Sequence, residues 1–121
     1  MTNTELVMGF IQAWNDMDWD AVIGVLAEDV VYHNIPMEVI EGRDAAAGFI
    51  RGMAPESVHW EVLNIAENGN VVLTERVDNF VMASGAKVSL PVMGTMEIVD
   101  GKIKAWRDYF DLATFATQMG G

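Results

Sequence analysis

Two predicted strands carry charged side chains on faces that are otherwise mostly apolar. Strand side chains alternate between faces, so Arg76 and Asp78 share one face of the segment from 71 to 82. In the segment from 102 to 111, Asp108 lies on the same face as Trp106 and Phe110. Burying an unpaired charge costs several kcal/mol, so charges that face a core must pair with one another. The simplest arrangement places Arg76 between the two aspartates.

Two carboxyl groups that share one guanidinium in a dry site have a chemical use. Burial and mutual repulsion favour protonation of one carboxyl group while the other stays ionised. Such a pair can donate and accept protons across a cavity. The same pattern is also typical of a structural ion-pair network, or of charges on an exposed sheet face.

A third predicted strand, from 30 to 34, adds two uncharged polar groups. Tyr32 and Asn34 lie on one face of this strand, which Pro36 ends. A phenol and an amide therefore point in the same direction and can join the charged groups. A tyrosine on a strand more often packs into the core with its hydroxyl group satisfied.

The rest of the chain predicts the elements that bring these strands together. Helices are predicted from the cap Thr4 to Asn15, from Trp19 to Ala27 after the cap Asp18, from Arg43 to Ile50, and briefly from Asp111; strands are predicted over 30–34, 57–67, 71–82, 86–99 and 102–111. Helices followed by a strand meander predict one α+β domain over residues 1–121, with helices packed on one face of a curved sheet. Such a sheet can enclose a pocket.

Composition restricts the partners. The net charge of −11 disfavours nucleic acids and anionic membrane surfaces. No apolar run approaches the ~20 residues that span a bilayer, and the N-terminus has no basic leader, so we expect a soluble, cytoplasmic protein. The chain has no cysteine, and its two histidines lack carboxylates at a ligand spacing. We therefore expect no metal site.

Three segments resemble the limonene-1,2-epoxide hydrolase family, within the nuclear transport factor 2-like superfamily of cone-shaped domains. The segments are Tyr32-His33-Asn34-Ile35-Pro36, Leu73-Thr74-Glu75-Arg76-Val77-Asp78 and Trp106-Arg107-Asp108-Tyr109-Phe110-Asp111. They follow in the family's order with comparable spacing, and the similarity runs over nearly the whole chain. The resemblance implies a mixed, mainly antiparallel sheet that encloses a pocket.

The resemblance also implies a one-step hydrolysis. Asp108, helped by Tyr32 and Asn34, would hold a water molecule and take its proton as the water attacks an epoxide carbon. Asp78 would donate a proton to the epoxide oxygen, and Arg76 would bridge the two carboxyl groups. The product is a vicinal diol, and no cofactor, metal or covalent intermediate is needed. The resemblance also implies that the protein forms a homodimer.

The expected substrate is an apolar cyclic or aryl epoxide, because the chain is 51% hydrophobic and the excess must cover a pocket wall or an interface. The predicted pocket residues are Met37, Met82, Leu90, Trp106 and Phe110. Two other functions suit the same scaffold. One is an enzyme of the ketosteroid isomerase or polyketide cyclase type, which has less need of an arginine between two aspartates. The other is a non-catalytic domain that binds a small ligand.

Overall fold

A computed structural model describes residues 1–120 as four helices and six strands. In chain order these are α1 (Asn3–Asn15), α2 (Trp19–Gly24), β1 (Leu26–Asn34), β2 (Ile40–Glu41), α3 (Arg43–Met53), β3 (Ser57–Asn68), β4 (Val71–Val81), β5 (Lys87–Val99), β6 (Lys102–Tyr109) and α4 (Leu112–Gln118). None of the helices in this range is long and apolar enough to cross a membrane.

All six strands form one open sheet in the order β2-β1-β6-β5-β4-β3. The pair β1 and β6 is parallel, and the other four neighbouring pairs are antiparallel. Helix α1 packs against β3, α3 against β1, and α4 against β5. The predicted α+β class with a mixed, mainly antiparallel sheet is confirmed.

The first helix begins earlier than predicted. Thr2, and not Thr4, is its N-cap: the Thr2 hydroxyl accepts from the Glu5 backbone N–H, and the Glu5 carboxylate accepts from the Thr2 backbone N–H. This reciprocal capping box satisfies two free donors at once. The hydroxyl of Thr4 instead donates to Glu67 on β3. Thr4 therefore ties the helix to the sheet.

The boundary between α2 and β1 also differs from the prediction. The helix ends at Gly24, and Leu26 already belongs to a strand that begins four residues before the predicted start at Val30. Leu26 is fully buried and pairs with Ile103 of β6. Tertiary pairing therefore overrides the helical periodicity of this segment.

Two other differences are smaller. The two-residue strand β2 was not predicted, because so short a segment shows no alternation. Helix α3 continues three residues past Ile50 and ends before Ala54, which has a left-handed backbone with φ of 41°.

The strand register sets one row of residues across four strands. Asn34 on β1 pairs with Asp108 on β6, Asp108 pairs with Gly94 on β5, and Gly94 pairs with Thr74 on β4. All four face the buried side of the sheet. Arg76 lies two residues further along β4, on the same face as Thr74.

Candidate active site

The structure brings the three predicted charged side chains together beneath the helices. Arg76 donates from Nε and Nη2 to the two oxygens of Asp78, at 2.9 Å each. It donates from Nη1 and Nη2 to the two oxygens of Asp108, at 3.3 and 3.0 Å. The arginine is 1% exposed and each aspartate is 4% exposed. The interpretation of these residues as an exposed charged face is therefore wrong.

Two tryptophans complete the surroundings of this ion network. The indole Nε1 of Trp106 donates to Oδ1 of Asp108 at 3.0 Å. The guanidinium carbon of Arg76 lies 4.6 Å from the ring centroid of Trp60, within the range of a cation–π interaction. Trp60 lies opposite Asp78 in the register of β3 and β4. The charged groups are therefore enclosed by aromatic surface as well as by each other.

Tyr32 and Asn34 lie beside Asp108, as their shared face on β1 predicts. The Tyr32 hydroxyl donates to Oδ1 of Asn34 at 3.4 Å. The Tyr32 ring stacks on Trp106 with centroids 4.0 Å apart and planes 11° apart, which fixes the orientation of the phenol. Burial raises the pKa of Tyr32, and the charge of Asp108 raises it further, so the phenol stays protonated.

The charges and burial of the network shift the pKa values of Asp78 and Arg76. Burial raises the pKa of Asp78 from 3.8 to about 6; the charge and hydrogen bonds of Arg76 oppose this shift, and the charge of Asp108 adds to it. Burial alone would lower the pKa of Arg76, but the charges of Asp108 and Asp78 raise it overall. One cation faces two carboxyl groups, so a fully ionised network would bury a net negative charge. Protonation of Asp78 removes that charge.

A cavity of about 70 Å³ opens onto these groups. Its wall includes the polar side chains of Tyr32, Asn34, Asp78 and Asp108. Its apolar wall consists of Trp14, Met37, Phe49, Met53, Trp60, Phe80, Leu90, Val92, Phe110 and Phe115. A cavity that is mostly apolar with a few convergent polar groups is typical of a small-molecule site.

Three of the five predicted pocket residues line this cavity, namely Met37, Leu90 and Phe110. The other two do not. Trp106 is fully buried behind the ring of Tyr32, and Met82 lies beyond the end of β4, where it packs against the core. A strand pattern assigns a face but does not show which neighbour covers it.

The part of the cavity wall that helices contribute was not predicted from the sequence. Trp14 comes from α1, Phe49 and Met53 from α3, and Phe115 from α4. Helical periodicity marks such residues as buried, but it does not say whether they face a core or a cavity.

The described part of the chain contains no cluster of side chains that could bind a metal ion. Within residues 1–120, no three His, Asp or Glu side chains lie close enough together to hold a metal ion. The polar groups gathered at this site are the two carboxyl groups, the guanidinium, the phenol and the amide. This set can position water and transfer protons.

Comparison with known proteins identifies the family. Residues 1–120 match the family model described as the limonene-1,2-epoxide hydrolase catalytic domain. The chain belongs to the limonene-1,2-epoxide hydrolase family. A curated relative, epoxide hydrolase EphG of Mycobacterium tuberculosis (strain ATCC 25618 / H37Rv), is 37% identical over 108 residues, which are 88% of this chain and 71% of that protein. The resemblance inferred from three segments is thus confirmed over almost the full length.

Solved structures agree with the family assignment. An epoxide hydrolase of M. tuberculosis, described as similar to this family, has a TM-score of 0.85 and 32% identity, covering 96% of this chain and 87% of that one. A putative polyketide cyclase from Xanthomonas campestris pv. campestris has a TM-score of 0.82 and 29% identity, covering 96% and 95%. The cone-shaped fold is confirmed. As a member of the limonene-1,2-epoxide hydrolase family, the chain is by class an epoxide hydrolase and an enzyme, not a non-catalytic binding domain.

Proposed function

We propose that this epoxide hydrolase adds water in one step to an apolar cyclic or aryl epoxide and releases a vicinal diol. The observation that carries the proposal is the buried network in which Arg76 binds both oxygens of Asp78 and both oxygens of Asp108. Both carboxyl groups also line a mostly apolar cavity together with Tyr32 and Asn34.

Asp108, Tyr32 and Asn34 would hold the attacking water. The Tyr32 hydroxyl already donates to the Asn34 carbonyl oxygen, which leaves the phenol oxygen as an acceptor and the Asn34 amide N–H groups as donors. A water molecule could then donate to Asp108 and to Tyr32 and accept from Asn34. Its remaining lone pair would attack an epoxide carbon, and Asp108 would take the proton that the water loses.

Asp78 would supply the proton that the opening ring requires. With its pKa raised to about 6, its carboxyl group is about half protonated at pH 6 and keeps about a tenth of its protons at pH 7. The carbon–oxygen bond breaks as the water oxygen bonds to carbon, and the epoxide oxygen takes the Asp78 proton. Asp108 is then protonated and Asp78 ionised, and return of one proton from Asp108 to Asp78 restores the starting state.

The mostly apolar lining of the cavity supports the proposal that the substrate is apolar. Its aromatic residues offer little to a strongly polar ligand, and Asp78 and Asp108 line the same cavity, which supports their proposed roles at the epoxide oxygen and the water. The cavity of about 70 Å³ suits small epoxides directly. Met37 and Met53 lie in its wall, and their unbranched side chains allow it to enlarge for a cyclic ring.

An assay of epoxides in isotopically labelled water tests the proposal. Cyclic and aryl epoxides are incubated with the enzyme, and the diols are analysed by mass spectrometry after a single turnover. We expect solvent oxygen in the diol in that first turnover, because no enzyme oxygen is transferred. Diol that first contains unlabelled oxygen from a carboxylate would indicate a covalent ester and contradict one-step attack.

The likeness to a putative polyketide cyclase favours one competing activity, proton transfer next to a carbonyl group. One carboxylate suffices for that reaction, whereas this site places two on a single guanidinium. Unsaturated ketones are therefore included in the same assay. Isomerisation of these ketones without any diol formation would favour the competing activity.

We also propose a homodimer formed through the outer face of the sheet. Met93, Leu63 and Tyr109 are 50%, 48% and 46% exposed, and Met93 pairs directly with Tyr109. Exposed apolar side chains that adjoin on a sheet face are typical of a protein interface. A second copy of the chain would cover them. Size-exclusion chromatography with light scattering that shows only monomer would contradict this proposal.

A further inference from the structure

Two residues outside the five proposed active-site groups hold the guanidinium in place. We propose that Thr74 and Gly94 are positioning residues, which form a floor on which Arg76 reaches both carboxyl groups. The proposal rests on the function proposed above and adds the means by which its acid and base are aligned.

Thr74 completes the hydrogen bonding of Arg76. Three of the five guanidinium N–H groups go to Asp78 and to Oδ2 of Asp108. The Nη1 group bonds Oδ1 of Asp108 at 3.3 Å and the Thr74 hydroxyl oxygen at 3.0 Å. All five donors of this buried cation are therefore used. Because the fifth acceptor is a neutral hydroxyl, the network is completed without a third buried negative charge.

The Thr74 hydroxyl is itself oriented. It donates to the carbonyl oxygen of Gly94 on the neighbouring strand, at 3.5 Å. That bond directs the lone pairs of the hydroxyl toward Nη1 of Arg76. Thr74 is 1% exposed, so bulk solvent does not compete with its hydroxyl for Nη1 of Arg76.

Gly94 leaves the space that the guanidinium occupies. It lies between Asp108 and Thr74 in the register row, and the head of the Arg76 side chain lies over it. A Cβ at this position would lie 2.6 Å from Oδ1 of Asp108, 3.0 Å from the Thr74 hydroxyl, and closer still to Nη1 of Arg76. Gly94 has no left-handed φ to explain the glycine. The close approach of the guanidinium is therefore what requires it.

Side-chain substitutions at position 74 test the hydroxyl separately from packing. Thr74→Val keeps the shape and removes the acceptor, whereas Thr74→Ser keeps the acceptor. We expect Thr74→Val to lower kcat for epoxide hydrolysis by about tenfold with little change in KM, since a hydrogen bond to a buried charge is lost. Thr74→Ser should stay within about threefold of the wild type. Thr95→Val, half-buried on the opposite face of β5, is the matched control.

Gly94→Ala tests the space itself. We expect kcat to fall by about a hundredfold, because the added methyl group displaces Arg76 from both carboxyl groups. Carbon NMR of the side-chain carboxyl groups follows the titration of Asp78 without any turnover. Since Arg76 lowers the pKa of Asp78, its displacement should move that titration to higher pH. Gly48→Ala, where a Cβ meets no atom within 4 Å, is the matched control.

The outcomes separate this inference from the proposed function. Wild-type kcat in Thr74→Val, or an equal loss in Thr74→Ser, would overturn the role of the hydroxyl. An unmoved Asp78 titration in folded Gly94→Ala would overturn the role of the space, and if that variant does not fold, the valine and serine contrast decides. If the wild type opens no epoxide, the proposed function fails, while the Asp78 titration still tests whether Gly94 positions Arg76.

Discussion

The raised pKa of Asp78 has a consequence for stability that one substitution isolates. The folded protein holds the Asp78 proton more tightly than the unfolded chain, with a pKa of about 6 against 3.8. This contribution to stability is therefore fully present below pH ~3.8 and is lost as pH rises through about 6. At about 1.4 kcal/mol per pH unit, the loss amounts to about 3 kcal/mol. Asp78→Asn has nearly the shape of the protonated carboxyl group and cannot ionise.

Urea denaturation of both proteins between pH 4 and pH 8 measures this loss. The other carboxyl groups titrate in both proteins, so their effects largely cancel in the difference between the two free energies of unfolding. At pH 4 the unfolded carboxyl group is already more than half ionised, so we expect the free energy of Asp78→Asn minus that of the wild type to rise by about 2.4 kcal/mol across this range. A constant difference would mean that Arg76 cancels the effect of burial and leaves the pKa of Asp78 unshifted, and a falling one would mean that Arg76 dominates and lowers it. The proposed acid would then be ionised when it is needed.

Other substitutions test the remaining parts of the site. Asp108→Asn should reduce diol formation by ~10²-fold or more with an unchanged circular dichroism spectrum, since the general base is lost; wild-type turnover would contradict its role. Arg76→Met should destabilise the protein by roughly 3–5 kcal/mol in urea, because two buried carboxyl groups lose their partner. Met93→Glu should shift the protein toward monomer in size-exclusion chromatography with little effect on the fold, because it places a charge on the proposed interface. In wild-type pH profiles, kcat should decline above about pH 6 as Asp78 ionises; a rate that rises steadily to pH 9 would exclude Asp78 as the acid.

The sequence predicted the charged network because the relevant information is local. Alternation along β4 places Arg76 and Asp78 on one face, and alternation along β6 does the same for Asp108. The cost of buried charge then requires the three groups to meet. No knowledge of the helices enters this reasoning, which explains why it succeeded while the boundary between α2 and β1 was misplaced.

The cavity wall was harder to predict because it depends on how separate elements pack. Trp106 was assigned to the wall from its face on β6, but the Tyr32 ring covers it. Phe115 was not assigned, because its place depends on where α4 lies against β5. The role of Gly94 was not predicted from the sequence, because a glycine within a strand is informative only once its neighbours across the sheet are known.

Stability and the proposed chemistry depend on the same groups in this site. Every N–H of Arg76 is bonded to Asp78, Asp108 or Thr74, so the guanidinium cannot rotate without breaking several buried hydrogen bonds. The heavy atoms of the network are thus held, and the proposed reaction requires only protons to move between these groups. Burial destabilises the ionised form of Asp78, and that destabilisation keeps the group protonated to higher pH, as its proposed role of proton donor requires. A variant that relieves this cost should therefore be more stable above pH 6 and less active, and we expect Asp78→Asn to show both effects.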